Sequence, residues 1–352
     1  MAATEASARA VALAPPYAHG APVAQAQVRL EAEDFLVEEE LGFVPAGSGA
    51  HVLLKVRKVN ANTQWVAREL ARLARCREAE VGYAGLKDRR AVALQWFSLP
   101  RPRTPLDWCA VRTADFAVLE AHAHTRKLPR GALRGNRFAI RLRTPEGGAA
   151  LAAALAPRLA TIAQRGVPNY FGPQRFGHEG ANLARGAREL AALRPPQRGF
   201  VLSAARSVVF NALLGARVAA GSWERLLAGD LANLEGRGSF FAVDSADATL
   251  EERCERLQIH PTGPLWGRGA PETGGAVAEL EAQVAARFAA QCAACEAAGM
   301  RQERRSLRLA VQELRVTEEP AALVLHFRLG RGSFATAVLR ELIESAGASR
   351  AG

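Results

Sequence analysis

Lysine is almost missing from this 352-residue chain: Lys55, Lys58, Lys87 and Lys127 are the only four among 46 basic residues, so 42 are arginine. Cysteine is sparse too, with five scattered residues, an odd number that argues against a disulfide framework and for a reducing setting. No apolar run stands out at the roughly 20 residues a membrane helix needs. The stretch Val11 to Ala14 is short, follows Glu5 and meets Pro15-Pro16, which does not suit a secretion signal. No Gly-Lys-Ser/Thr ending marks a phosphate loop, and Cys292-Ala-Ala-Cys295 has no second pair at zinc-finger spacing. Membrane-spanning, disulfide-stapled, nucleotide-hydrolysing and zinc-finger classes are therefore disfavoured.

What is present is a globular composition, 49% hydrophobic and 23% charged, with a net charge of +11. The length suggests two folded units. A positive surplus favours a polyanionic partner, and arginine's planar fork binds phosphate and stacks on bases. A bias toward Ala, Gly and Arg accounts for much of the arginine excess.

Residues 1–22, rich in Ala and Pro, read as a disordered tail. Alternation at Val28, Leu30, Phe35 and Val37 and over 51–58 predicts strands, and 62–73 predicts a helix capped by Asn62 or Thr63. Strand, loop and strand then follow over 81–99, and a basic loop from 124 leads into a strand at 137–143. The middle of the chain has Ala-rich helices at 149–163, 203–220 and 276–299 between Gly/Pro/aromatic loops. Strand alternation returns at 307–316 and 321–329, and a last helix is expected over 333–344, with Ser333 as its cap. Strand-rich ends around a helix-rich middle suggest one α+β domain interrupted by an insertion.

Asp88 is the sharpest candidate for chemistry. It sits between Lys87 and Arg89-Arg90 in a glycine-bounded loop, and neighbouring cations favour the ionised form that a carboxylate nucleophile uses. The same residue also fits an ordinary turn aspartate bonding its own backbone. Arg126, Lys127, Arg130, Arg134 and Arg137 make a basic segment suited to phosphates or simply to solvent. Asn136 and Phe138 share a strand face, where an amide could read a pyrimidine edge and a ring could stack, although Phe138 equally suits a core. Gly166 to Gly177 interleaves aromatics, glycines and Arg175 as a shaped loop. Cys292 and Cys295, at i and i+3 in a helical run, need no ligand.

In order and interval, several segments together resemble the tRNA pseudouridine synthase D family: Glu33-Asp-Phe-Leu-Val37, Tyr83-Ala-Gly-Leu-Lys-Asp-Arg-Arg-Ala91, Gln95-Trp-Phe97, Arg126-Lys-Leu128, Gly135-Asn-Arg-Phe138, Gly166 to Gly177, Gly236-Arg-Gly-Ser239 and Gly332-Ser-Phe-Ala-Thr336. The resemblance spans about residues 27–347. It implies an α+β fold: a pseudouridine-synthase-like catalytic domain with a mixed, mainly antiparallel sheet (23–161 and 309–347), interrupted by an α/β insertion (162–308) and flanked by tails at 1–22 and 348–352. It implies isomerisation of uridine, at position 13 of certain tRNAs, with Asp88 as the catalytic aspartate and Phe35, Asn136, Phe138 and Phe334 lining the uridine pocket. A cation beside the aspartate is expected from Arg29, Lys87 or Arg89.

An isomerisation of this kind calls for no metal or redox cofactor, and the expected partner is tRNA, met by a monomer in the cytoplasm with no membrane attachment. Two residues depart from the family's usual pattern: Ala93 stands where threonine is common, and Ala32 replaces the usual proline or serine, which suggests a looser turn. The rival reading is a tRNA-binding protein or chaperone whose catalysis is vestigial.

Overall fold

The computed structural model describes residues 2–183, 190 and 192–345. The fold is α+β, and the chain separates into two compact units, each assembled from non-contiguous segments. One comprises 23–157, 312–332 and 343–352; the other comprises 1–22, 158–311 and 333–342. The segment 333–342 thus groups with the middle of the chain, not with the strand-rich ends as the expected boundaries had it. The tail expected at 348–352 lies outside the described residues.

The first unit is built on an eight-stranded sheet. We number its strands in chain order: β1 (Phe35–Leu41), β2 (His51–Val59), β3 (Gly82–Tyr83), β4 (Val92–Pro100), β5 (Phe116–His124), β6 (Leu133–Arg143), β7 (Gln312–Glu319) and β8 (Ala322–Gly330). Across the sheet they run β7-β8-β6-β1-β4-β2-β5, with the short β3 also paired to β4. Only β1 and β4 are parallel; every other pairing is antiparallel. One face of β2 and β4 carries Val52, Leu54, Val56, Phe97 and Leu99, all buried.

Against that face packs the helix Thr63–Ala74, which turns Val66, Ala67, Leu70, Ala71 and Ala74 inward at helical spacing. Full burial of Leu70 alone is worth roughly 1.5–3 kcal/mol. The helix stops at Arg75, which adopts left-handed backbone (φ 52°) and donates its N–H to the Ala71 and Arg72 carbonyls. Neither expected cap works through its side chain at the other end. The Thr63 hydroxyl is used elsewhere, as described below.

The second unit has a four-stranded antiparallel sheet, in the order Phe240–Ala242, Leu231–Leu234, Ile259–Leu265 and Glu303–Ser306. Its central helix is Pro195–Ala219, whose Val208, Phe210 and Leu214 are buried with Tyr170, Phe176, Trp223 and Phe288. The stretch Gln197–Ala219 is long and apolar enough to cross a bilayer by length and composition, contrary to the expectation from the sequence, and 67% of its most apolar window is buried inside the protein. The same helix carries a buried ion pair: Arg217 reaches both Asp230 oxygens at 3.0 Å and donates to the Ser222 and Arg225 carbonyls.

Residues 2–13 correct the expectation of a disordered tail. They form a helix whose Ala8 and Ala12 are buried in the core of the second unit. Small side chains let the helix approach closely, and alanine is the best helix former. The expected last helix is also shorter: it covers Ala335–Leu339, with Phe334 rather than Ser333 at its cap position, and Ile343–Ser345 is a strand paired in parallel with Ala24–Ala26. Both Gly-Arg-Gly-Ser segments hold turns, at Gly236 (φ 71°) between two strands and at Gly332 (φ 75°) after β8.

Replacing Arg217 by methionine should cost about 3–5 kcal/mol, because Asp230 is then a buried charge without its partner. Urea denaturation of the full chain measures this, and a loss under about 1 kcal/mol contradicts it.

Candidate functional site

The loop from Tyr83 to Ala91 links β3 to β4, and the backbone of its residues 84–88 is held at four points. Gly131 donates to the Ala84 carbonyl at 2.8 Å, Gln95 Nε2 to the Gly85 carbonyl at 2.7 Å, the Lys87 N–H to Thr63 Oγ1 at 3.0 Å, and Lys58 Nζ to the Asp88 carbonyl at 2.9 Å. Thr63 in turn donates its hydroxyl to Gln95 Oε1 at 3.0 Å. Lys58 also donates to the Ala61 carbonyl at 2.8 Å and is fully buried. Burial pushes its ammonium down from 10.5 to about 8; Lys87 pushes the same way, while Asp88 and Glu39 oppose.

Fixed in this way, the loop presents Asp88 to Arg29. The Arg29 Nη2 donates to Asp88 Oδ2 at 2.7 Å, and both side chains are partly exposed. Arg29 has left-handed backbone (φ 62°), an uncommon conformation for a non-glycine residue. Its guanidinium lies over the Phe35 ring, 3.9 Å from the centroid. Phe35 meets the Phe138 ring edge-on at 6.0 Å, and Phe138 stacks on Phe327 at 5.3 Å. The three rings are buried, so carboxylate, guanidinium and aromatic floor form one continuous set.

Strand register explains the set. Asn136, Phe138 and Ile140 of β6 lie opposite Glu39, Val37 and Phe35 of β1, and Phe138 lies opposite Phe327 of β8. Side chains two apart on a strand share a face. Lys87 closes this row, with Nζ 2.7 Å from Asn136 Oδ1 and 3.0 Å from Glu39 Oε1. The other Glu39 oxygen accepts from the Trp96 N–H at 2.8 Å. Burial raises the Glu39 carboxyl above its ordinary value, against the pull of Lys87.

The turn into β1 is tightly closed despite Ala32. Asp34 is buried and accepts from Arg143 Nε at 3.0 Å and from the Glu31 N–H at 3.0 Å. Burial alone would raise its carboxyl, but the Arg143 bond, with Arg141 nearby, brings it below the ordinary value. Ala93 is fully buried opposite Val37 and Lys58.

Of the residues singled out in the sequence, Arg29, Phe35, Lys87, Asp88, Asn136 and Phe138 come together. Of the three candidate cations only Arg29 pairs with the Asp88 carboxylate; Lys87 turns to Glu39 and Asn136, and Arg89 donates to the Asn60 carbonyl at 3.3 Å. Phe334 belongs to the second unit, with Phe171, Arg175 and Arg305 around its ring. There the aromatics of the 166–177 loop are core: Tyr170, Phe171 and Phe176 are buried. In the basic segment Arg137 is paired with Glu40 and Glu313. Cys292 and Cys295 are buried, and burial pushes their thiols up to about 12 and about 11. Sequence reasoning missed Lys58 and Phe327. The scarcity of lysine was a usable signal for the first; register with Phe138 identifies the second only once the strands are paired.

The architecture is shared with known proteins. A crystal structure of a Methanosarcina mazei protein assigned as a tRNA pseudouridine synthase D superposes with a TM-score of 0.69 over 95% of this chain and 96% of that one, at 21% identity. That likeness defines the fold class, an α+β protein of the TruD type. The sequence model of tRNA pseudouridine synthase D (TruD) matches residues 14–186 and 179–342. The tRNA pseudouridine synthase D of Methylococcus capsulatus is 45% identical over 335 residues, 94% of each chain. That of Nitrosococcus oceani is 44% identical over 337 residues, 94% of this chain and 93% of its own. The chain belongs to the tRNA pseudouridine synthase D family.

The lowered value at Lys58 has a definite sign. Between about pH 8 and 10.5 the unfolded chain holds the Lys58 proton that the folded chain has lost, so rising pH stabilises the fold across that window. Wild type should gain about 2 kcal/mol on Lys58→Met between roughly pH 7.5 and 10. A difference between the two proteins that stays constant with pH contradicts this.

Proposed function

We propose that this chain is a tRNA pseudouridine synthase, an isomerase that converts uridine to pseudouridine at position 13, with Asp88 as its catalytic aspartate. Family membership carries the activity class. The observation that supports Asp88 is its carboxylate on a loop anchored at four backbone points, 2.7 Å from a guanidinium that rests on an aromatic ring.

The reaction breaks the C1′–N1 bond, turns the uracil and joins C5 to C1′; the proton lost from C5 is balanced by one gained at N1, so substrate and product are isomers. No electrons are exchanged with another reactant. Asp88 begins the sequence either by attack at C1′ or by taking the C2′ proton. In both, a pre-positioned carboxylate removes the entropy of bringing base or nucleophile to the sugar. Arg29 is the cation beside it. As negative charge moves between carboxylate and departing uracil, the guanidinium beside Asp88 stabilises it at both ends.

The target uridine must leave its stack to be reached. Phe35, Asn136 and Phe138 form the pocket in this proposal. Phe138 is braced by Phe327 on one side, so it acts as a wall. Asn136 Oδ1 is held by Lys87, which orients its amide N–H₂ outward for a uracil carbonyl. The proposal includes a monomer working in the cytoplasm, where five unpaired thiols are stable.

Unmodified tRNA incubated with the pure protein should acquire pseudouridine without added cofactor, and Asp88→Asn and Asp88→Ala should form none while still binding tRNA. If the wild type modifies no tRNA, the enzymatic reading is wrong, and a vestigial tRNA-binding role takes its place. Arg29→Ala should lower the single-turnover rate by about 10²–10³-fold, the usual effect of removing one charge-stabilising donor, with Arg29→Lys in between. A rate within about threefold of wild type would remove Arg29 from the chemistry.

A further inference from the structure

In the same unit as Asp88, a groove of about 710 Å³ is lined by Glu78, Gly82, Tyr83, Lys127, Pro129 and Arg130 among others. It is distinct from the aspartate, guanidinium and ring set but shares the Tyr83 end of the same loop. Its floor exists because residue 82 is glycine. A Cβ there would fall 2.6 Å from the Leu128 carbonyl oxygen and 2.6 Å from Ser98 Oγ. The Leu128 N–H donates to that same Ser98 hydroxyl at 2.6 Å, so the segment 127–130 lies firmly along β3 and β4.

Two cations project from this segment. The Arg130 guanidinium sits over the Tyr83 ring, 3.9 Å from its centroid, and the residue is exposed. Tyr83 is backed by Phe97, 5.9 Å away. Lys127 Nζ donates to the Ala79 carbonyl at 2.5 Å, leaving two of its three N–H donors. The acid in the lining, Glu78, is already matched by Arg68 at 3.3 Å, and Glu80 nearby, which Lys127 also attracts, pairs with Arg77 at 3.2 Å. The groove therefore offers uncompensated positive charge beside a planar cation braced on an aromatic ring.

We propose that this groove is a second nucleotide subsite. It takes an unpaired nucleotide of the RNA substrate, its base on the outer face of the Arg130 guanidinium and its phosphate at Lys127. Base stacking suits single-stranded RNA, whose bases are free to splay onto planar groups. A duplex keeps its bases stacked on each other and offers only phosphates. An acidic peptide would use the charge but not the stack. The proposal rests on the reading of the chain as an RNA-binding enzyme, and it is tested by binding, not turnover.

The full-length protein would be titrated by fluorescence anisotropy with a short oligouridylate and with an RNA duplex of equal length. Variants are Arg130→Ala, Arg130→Lys, Lys127→Ala and, as a control for lost charge alone, Arg72→Ala on the exposed face of the helix Thr63–Ala74. Both Arg130 variants should weaken oligouridylate binding about tenfold, the effect of losing one stacked base, and leave duplex binding near that of Arg72→Ala. Lys127→Ala should lower the slope of log affinity against log salt by about one. Arg130→Lys binding like wild type, or equal losses on duplex and single strand, would overturn the stacking subsite. Wild type that binds oligouridylate in an Arg130-dependent way yet forms no pseudouridine would sink the enzymatic reading and leave the subsite standing.

Discussion

The Lys58 ammonium is where the local structure of the loop that carries Asp88 is decided. Removing a lysine from water costs several kcal/mol, and among the described residues no carboxylate is hydrogen-bonded to Lys58 in return; its bonds run to the carbonyls of Ala61 and Asp88. Those two carbonyls come from opposite sides: Ala61 begins the turn into the helix Thr63–Ala74, and Asp88 ends the pinned part of the loop. One charge thus fastens the helix start to the loop, and Thr63, two residues on, fastens the same loop at Lys87 N–H. The loop cannot shift without breaking both, so the Asp88 backbone is fixed while its side chain reaches Arg29.

Three of the four lysines in this arginine-dominated chain stand where a compact ammonium meets several acceptors at once. Lys58 is enclosed, Lys87 fits between Glu39 and Asn136, and Lys55 bridges Glu38 and Glu120 at 2.8 and 3.1 Å. Each satisfies acceptors in different directions, which tetrahedral N–H donors do and a flat fork does not. The arginines serve a second purpose, as covers for aromatic rings at Phe35 and Tyr83 in this unit. Composition that at first reads as bias is in these places sorted by shape.

The sheet was legible because most of its strands alternate, and Asp88 was legible as a candidate through its glycine-bounded loop. Which cation meets it was not. Lys87 and Arg89 are its neighbours in sequence, but adjacency along an irregular loop does not decide which way a side chain points. Lys87 is directed to Glu39, and the guanidinium arrives from Arg29, 59 residues away. The helix at 2–13 was hidden for a related reason. Alanines there gave no amphipathic stripe of large residues, yet Ala8 and Ala12 bury because small side chains fit against a neighbouring core. The Phe138–Phe327 stack joins strands 189 residues apart and has no local signature.

In the proposed reaction, the pairing of Arg29 with Phe35 lets the site admit a base at little net cost. A flat guanidinium and a flat pyrimidine are similar guests for an aromatic face, each gaining from stacking and polarisation. While Arg29 lies on Phe35, the guanidinium is directed toward Asp88. A uracil that takes its place exchanges one stacked contact for another, so the step demands less than opening a closed hydrophobic pocket would. The displaced guanidinium stays within reach of the carboxylate, because Arg29 is anchored by a backbone conformation that few side chains adopt and by the Asp34–Arg143 turn that follows it. In that proposal the same residue covers the ring face before the base enters and balances the charge on Asp88 throughout.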